Sequence, residues 1–128
     1  MSHRPALFLL TLAGLLLAAC GAQGSAPEAV ENYLQARAEA NAEKMVAGSC
    51  AAWETQARTE ADSFKSMNAQ LDGVACTANG ADGDATLVTC TGKIITTYNG
   101  EQREWDMADF TFRAVQEGGE WRMCGYKE

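Results

Sequence analysis

The segment IITTYNGEQREWDMADFTFRAV, residues 94–115, carries the pattern that decides the fold. Runs of β-branched and aromatic residues on both sides of Asn99-Gly100 predict two antiparallel strands, Ala85–Tyr98 and Glu101–Val115. Asparagine followed by glycine is typical of a two-residue hairpin turn, because both central residues of that turn have positive φ angles. The segment therefore predicts a long β-hairpin.

The apolar residues of the second of these strands change parity halfway along it. A first set occupies odd positions and a second set occupies even positions: Trp105 and Met107, then Phe110, Phe112 and Ala114. A regular strand would send the two sets to opposite faces. A β-bulge near Ala108-Asp109 would return them to a single face and would bend the sheet. We therefore expect a curved sheet with a hollow apolar face.

Two further strands are predicted from alternating residues and from glycine-rich turns. Asp72–Ala78 leads into the turn-forming stretch ANGADGDA (78–85), and Glu120–Tyr126 follows the turn at Gly118-Gly119. Together these segments predict a four-stranded antiparallel meander. Counting outward from its turns predicts three cross-strand pairs: Ile94 with Trp105, Ala114 with Met123, and Gln116 with Trp121.

Two amphipathic helices are predicted before the strands. Ser25 and Glu28 form a capping-box pattern that opens the first helix, and Gly48 is a suitable C-cap for it. The second helix is predicted to begin at Ser49 and carries an apolar stripe that consists of Trp53, Ala57, Ala61, Phe64 and Met67. The predicted fold class is α+β, with two N-terminal helices packed on a curved four-stranded antiparallel sheet.

This order of elements resembles the cone-shaped fold of the nuclear transport factor 2-like superfamily, which many small bacterial lipoproteins use. The segments that carry the resemblance most clearly are VTCTGKIITTYNG (88–100) and the final strand with its turn, GGEWRMCGY (118–126). The resemblance implies a cone whose mouth serves as an enzyme pocket, as in ketosteroid isomerases and dehydratases, or as a binding or dimerising surface. A fold alone indicates no activity.

The N-terminus has the features of a secretory signal peptide over residues 1–19, with a basic start, a leucine-rich run and two alanines. Leu17-Ala18-Ala19-Cys20 resembles the lipobox of bacterial lipoproteins, in which the cysteine is acylated, with palmitate or a similar chain, and becomes the mature N-terminus. An ordinary signal peptide followed by a chance cysteine is the alternative. We predict lipidation at Cys20, a tether over residues 20–26 and one domain over residues 27–128. The expected location is the extracytoplasmic face of the cell membrane.

The charge of the mature chain argues against several classes of function. The formal net charge of −7 becomes about −8 when cleavage removes Arg4, and the same cleavage removes the single histidine, His3. Without imidazole, neither a histidine-based metal site nor a Ser-His mechanism is available. An acidic chain with no basic cluster is not expected to bind nucleic acid. We predict no metal and no cofactor.

Four cysteines follow Cys20, and an even number in an exported chain indicates two disulfides. Three pairings are open. If the first hairpin turns about Gly83, Cys76 lies opposite Cys90, which leaves Cys50 to pair with Cys124. Strict alternation places Cys124 on the face opposite the apolar one. The second bridge therefore requires a twist at the end of the last strand, or a path for Cys50 round an edge of the sheet.

Five aromatic residues are candidates to line a pocket in the cone: Tyr33, Trp53, Trp105, Phe110 and Phe112. The alternative is that they form the core, since each aromatic side chain buries a large apolar area. We favour the core for the tryptophans.

An isomerase site would need a carboxylate base and a hydrogen-bond donor inside an apolar pocket. Asp106 and Asp109, with Tyr33 or Tyr98 as the donor, are the candidates, although all four also fit structural roles. The stretch NGADGD (79–84) carries oxygen ligands but lacks the spacing and the closing glutamate of an EF-hand, so a turn is expected there.

Our leading hypothesis is a non-enzymatic, lipid-anchored module that binds a small apolar molecule or a protein or cell-envelope partner. The first alternative is an isomerase or lyase similar to ketosteroid isomerase. The second is an inhibitor of a secreted hydrolase.

Overall fold

The computed structural model describes residues 24–128, so the predicted signal peptide and Cys20 lie outside the described residues. Within this range the architecture is α+β, with the helices before the strands. The helices are α1 (Ala26–Ala38), α2 (Ala42–Ala47) and α3 (Glu54–Phe64). The strands are β1 (Gln70–Asp82), β2 (Ala85–Tyr98), β3 (Glu101–Asp106), β4 (Thr111–Glu117) and β5 (Glu120–Tyr126). Short 3-10 turns occupy Ala51–Trp53 and Met107–Asp109.

The first predicted helix, which was expected to reach Gly48, is broken into α1 and α2. Ser25 caps the start of α1 as predicted, but Ala40 has a φ angle of +51°, which a right-handed helix cannot contain. Asn41 then caps α2, because its side-chain oxygen accepts a hydrogen bond of 3.1 Å from the amide of Lys44. The prediction of two helices is therefore wrong, and the described chain has three.

The second predicted helix begins at Glu54 rather than at Ser49, because the residues before it pair with the edge of β5. The Cys50 amide donates a hydrogen bond of 2.9 Å to the carbonyl of Met123, and a disulfide joins Cys50 to Cys124. This extended segment covers the outer edge of β5. It thereby lets Cys50 reach round the edge of the sheet to Cys124, where the pair packs in a small apolar cluster separate from the main core.

The first hairpin is longer than expected. β1 spans Gln70–Asp82 rather than Asp72–Ala78, so most of the stretch predicted as a turn is strand and the turn is reduced to Gly83-Asp84. Cys76 lies directly opposite Cys90 in this hairpin, and a disulfide joins the two across a Cα–Cα distance of 4.0 Å. Cys76–Cys90 and Cys50–Cys124 are the two pairs expected from the sequence.

The sheet has five strands rather than the predicted four, and β2 lies at its centre. β2 pairs with β1 along one side, and its other side pairs with β4 in the first half and with β3 in the second. The predicted third strand is divided because the turn Met107–Asp109 falls within it, where the bulge was expected. The carboxylate of Asp106 accepts a hydrogen bond of 2.9 Å from the amide of Ala108 and so stabilises this turn.

The predicted register is confirmed on both sides of this turn: Ile94 lies opposite Trp105, Ala114 opposite Met123 and Gln116 opposite Trp121. The helices pack on the apolar face of the sheet. The core lies between the two layers, and its largest fully buried side chains include Tyr33, Phe112, Leu34, Met45 and Ile94. None of the helices in residues 24–128 combines the length and apolar composition that a membrane span requires.

Candidate functional site

A pocket of about 120 Å³ lies between the helices and the central part of the sheet. Six apolar side chains and one arginine line it: Phe64, Met67, Ile94, Trp105, Met107, Phe110 and Arg37. The turn Met107–Asp109 forms part of one wall. Met107 within the turn lines the pocket, as do Trp105 just before it and Phe110 just after it. The local irregularity that the parity change predicts is thus what shapes the pocket.

The pocket has a buried floor and a partly open rim. Ile94 and Met107 are each 1% exposed, whereas Trp105 on the rim is 36% exposed. The indole Nε1 of Trp105 donates a hydrogen bond of 3.1 Å to Thr96 Oγ1, and the guanidinium of Arg103 stacks 5.1 Å from the indole ring. These two contacts hold Trp105 in place at the mouth.

A polar cluster formed by residues of α1, α3 and β5 lies behind one wall of the pocket. Its centre is Glu60 of α3, whose side chain is 10% exposed. Glu60 Oε2 accepts a hydrogen bond of 2.8 Å from the hydroxyl of Tyr33, and both carboxylate oxygens lie within 3.2 Å of the hydroxyl of Tyr126. Trp53 Nε1 donates to the Tyr33 hydroxyl over 3.1 Å. We call Glu60, Tyr33, Tyr126 and Arg37 the Glu60 cluster.

Arg37 belongs both to the Glu60 cluster and to the lining of the pocket. Its Nε lies 3.9 Å from Glu60 Oε2, and its Nη1 donates a hydrogen bond of 3.0 Å to the hydroxyl of Tyr126. Its Cζ lies 4.5 Å from the centre of the Phe64 ring, which is itself part of the pocket wall. Arg37 Nε is buried and has no hydrogen-bond partner among the described residues. The arginine therefore brings donor groups to an otherwise apolar wall.

The two phenols of the cluster stay protonated across the physiological range. Burial first, and the nearby Glu60 carboxylate second, raise the pKa of Tyr33 well above its ordinary value. Burial also raises the pKa of Tyr126, with Glu60 adding to the shift and Arg37 opposing it. Both tyrosines are therefore neutral donors to Glu60.

The five aromatic candidates do not line one cavity. Trp105 and Phe110 lie in the pocket wall, and Phe112 is fully buried in the core. Tyr33 belongs to the Glu60 cluster, and Trp53 donates to it from the edge of the core. The core preference is wrong for Trp105, whose side chain is partly exposed at the rim of the pocket.

The candidate catalytic carboxylates and their donors are not brought together. Asp106 and Asp109 are both exposed and neither lines the pocket. Tyr98 is 58% exposed at the tip of the hairpin. In the stretch 79–84, which was considered as a possible source of calcium ligands, Asp82 forms ion pairs with Arg113 and Lys127. Residues 24–128 contain no group of three or more side chains placed to hold a metal ion.

Sequence reasoning missed the polar members of the site, Arg37, Glu60 and Tyr126, and did not assign four apolar residues to the pocket wall: Phe64, Met67, Ile94 and Met107. One signal was available, since Glu60 falls three residues after Ala57 and four before Phe64 and so lies on the buried stripe of α3. A carboxylate on that face requires a partner. The partners come from α1 and β5, which local spacing does not reveal.

Comparison with models of known protein families and with curated proteins found no match. Among solved structures, a chain whose title begins Rd1NTF2_05 and continues with five substitutions is similar to this one. The match has a TM-score of 0.52 and 12% sequence identity, and it covers 78% of this chain and 94% of the other. At that identity the likeness concerns the fold alone. With the helices, the curved sheet and the pocket described above, the chain has a nuclear transport factor 2-like fold.

Proposed function

We propose that this protein is a non-enzymatic, lipid-tethered binding domain on the extracytoplasmic face of the cell membrane, and that its cone pocket holds a small apolar molecule. The observation that carries the proposal is the lining of the pocket, in which six of seven side chains are apolar. Pockets for small molecules are typically concave and mostly apolar, with a few polar groups that fix the orientation of the ligand.

The size of the pocket sets the size of the ligand. A dry cavity of about 150 Å³ accommodates benzene. The pocket here, at about 120 Å³, opens beside Trp105, so a substituent of the ligand can extend into the mouth. A single six-membered ring with a small substituent fits this description.

The tether and the pocket would lie at opposite ends of α1. Arg37 follows Ala26, the first residue of α1, by three helical turns, which corresponds to about 17 Å along the helix axis. A lipid anchor attached before Ala26 would therefore leave the mouth of the pocket accessible. The exposed Tyr98 and Trp105 beside that mouth could also contact a protein or cell-envelope partner.

The isomerase or lyase alternative remains second. The carboxylate next to the pocket, that of Glu60, already accepts hydrogen bonds from two tyrosines. The candidates proposed from the sequence, Asp106 and Asp109, are not among the residues of the pocket wall. No loop among the described residues provides a specific observation in favour of a hydrolase inhibitor.

Thermal unfolding with and without toluene tests the proposal. Because a ligand that binds the native state stabilises it, toluene at about ten times its Kd should raise Tm by roughly 5 °C. Ile94→Phe, which enlarges a side chain on the floor, should abolish this rise. The control is Val46→Phe, which changes a half-buried residue of α2 outside the pocket wall. No rise in the wild type, or an equal rise in Ile94→Phe, would contradict the proposal.

A further inference from the structure

The one charged residue that the described chain contributes to the pocket wall, Arg37, has hydrogen-bond donors to spare. A guanidinium carries five N–H groups in a fixed planar arrangement. Nη1 donates one hydrogen bond, to Tyr126, so N–H groups of the two terminal nitrogens remain for a ligand, whereas the buried Nε, 3.9 Å from Glu60 Oε2, is not accessible to one. Stacking on Phe64 fixes the plane of the group. A ligand in the pocket would therefore meet a pre-oriented donor.

The charge of Arg37 is already balanced. The carboxylate of Glu60 lies 3.9 Å from its Nε, and the two tyrosines around Glu60 are neutral. The Glu60 cluster thus has no net charge. An anion in the pocket would be a buried charge without a counter-ion of its own, and a cation would face the guanidinium directly; both arrangements are unfavourable in an apolar site.

Building on the proposed function, we infer that the ligand of the pocket is an uncharged, single-ring molecule with one hydrogen-bond acceptor, such as a carbonyl oxygen, which accepts from Arg37. The apolar wall selects the ring, and the spare donors of Arg37 select the acceptor. The closed charge balance of the Glu60 cluster selects against carboxylates and amines of the same size.

Four compounds of nearly equal size separate these contributions: isopropylbenzene, acetophenone, benzoate and benzamidinium. They present a hydrocarbon, a neutral acceptor, an anion and a cation on the same ring. Their Kd values can be measured by direct titration, with the ¹³C-labelled ε-methyl signals of Met67 and Met107 in the pocket wall as the readout. We expect acetophenone to bind at least about tenfold more tightly than benzoate or benzamidinium, because neither ion has a compensating charge in the pocket.

The role of Arg37 is tested with the variant Arg37→Met and with the double variant Arg37→Met/Glu60→Gln. The double variant removes both charges together, so it avoids leaving Glu60 without a partner if the single variant does not fold. In either variant acetophenone should bind about tenfold more weakly, as expected for loss of a hydrogen bond to a charged donor, while isopropylbenzene should change less than twofold.

Each other outcome overturns a defined part of the account. Equal effects of the variants on acetophenone and isopropylbenzene would overturn the inference and leave the proposed function standing. Tighter binding of benzoate or benzamidinium than of acetophenone would overturn the choice of an uncharged ligand. Failure of all four compounds, including the hydrocarbon, to bind would overturn the proposed function together with the inference.

Discussion

The hydroxyl of Tyr33 donates a hydrogen bond of 2.8 Å to Oε2 of Glu60 and so joins α1 to α3 inside the core. Tyr126 of β5 binds the same carboxylate, which connects both helices to the last strand. One buried acidic side chain therefore links three elements and positions the arginine that lines the pocket.

Removal of this carboxylate should destabilise the protein strongly. Glu60→Ala leaves two buried tyrosine hydroxyls without an acceptor and Arg37 without its counter-ion. We expect the free energy of unfolding, measured with urea, to fall by about 3 kcal/mol. This value is at the low end for buried ion pairs, because the side chain of Arg37 is 20% exposed. Glu101→Ala, at an exposed position of β3, should change it by less than about 0.5 kcal/mol. A loss below about 1 kcal/mol for Glu60→Ala would contradict this role.

The raised pKa values of Tyr33 and Tyr126 predict a loss of stability at high pH. The native state keeps both phenols protonated above pH 10, where the unfolded chain begins to release those protons. Because the native state then binds more protons, stability falls as pH rises, by about 1.4 kcal/mol per pH unit for each tyrosine. The contribution of the two buried phenols to the free energy of unfolding is thus fully present below about pH 10 and is lost progressively at higher pH.

Tyrosine variants isolate this effect from other groups that titrate at high pH. Urea unfolding at pH 9, 10 and 11 should show a shallower decline for Tyr33→Phe than for the wild type. Tyr98→Phe, at an exposed position, should decline as the wild type does. Parallel declines for the wild type and Tyr33→Phe would show that Tyr33 has no raised pKa.

The close approach of β1 and β2 makes Gly92 essential to the sheet. Its φ angle is +83°, and a Cβ atom there would lie 2.4 Å from the carbonyl oxygen of Gly73. Gly92→Ala should cost at least about 3 kcal/mol, since it adds a backbone clash to the strain of a positive φ angle. Gly83 also has a positive φ angle, +61°, but the space around it is open. Gly83→Ala should therefore lower the free energy of unfolding by only about 1 kcal/mol, through backbone strain alone. Equal losses in urea unfolding would contradict the clash.

The proposed lipid anchor predicts the location and mass of the protein in cells. The wild-type protein should fractionate with membranes, and its intact mass should correspond to a chain that starts at Cys20 with acyl groups attached. The Cys20→Ser variant should carry no acyl group. In a detergent phase separation it should stay in the aqueous phase, whereas the wild-type protein should enter the detergent phase. A membrane-free protein that retains residues 1–19 would contradict the anchor.

The fold was predictable where the decisive signal was local. Asn99-Gly100 placed the hairpin, and the parity change after Met107 placed the turn that shapes the pocket. The break at Ala40 was not predictable from the sequence. An asparagine can cap a new helix, as Asn41 does for α2, or lie within a continuous one, and the two arrangements differ by only about 1 kcal/mol. The site depends on contacts across long sequence separations: 66 residues separate Glu60 from Tyr126, and 89 separate Arg37 from Tyr126. Spacing along one helix indicates which face is buried but not which partner it meets.

The binding of a ligand inside the cone is tested most directly by NMR of methionine ε-methyl groups labelled with ¹³C, during titration with toluene. Met67 and Met107 line the pocket, whereas Met45 and Met123 are fully buried in the core outside its wall and serve as internal controls. We predict saturable shifts of the Met67 and Met107 signals with those of Met45 and Met123 unchanged. Shifts of all four together, or none at saturating toluene, would contradict a ligand site in the cone.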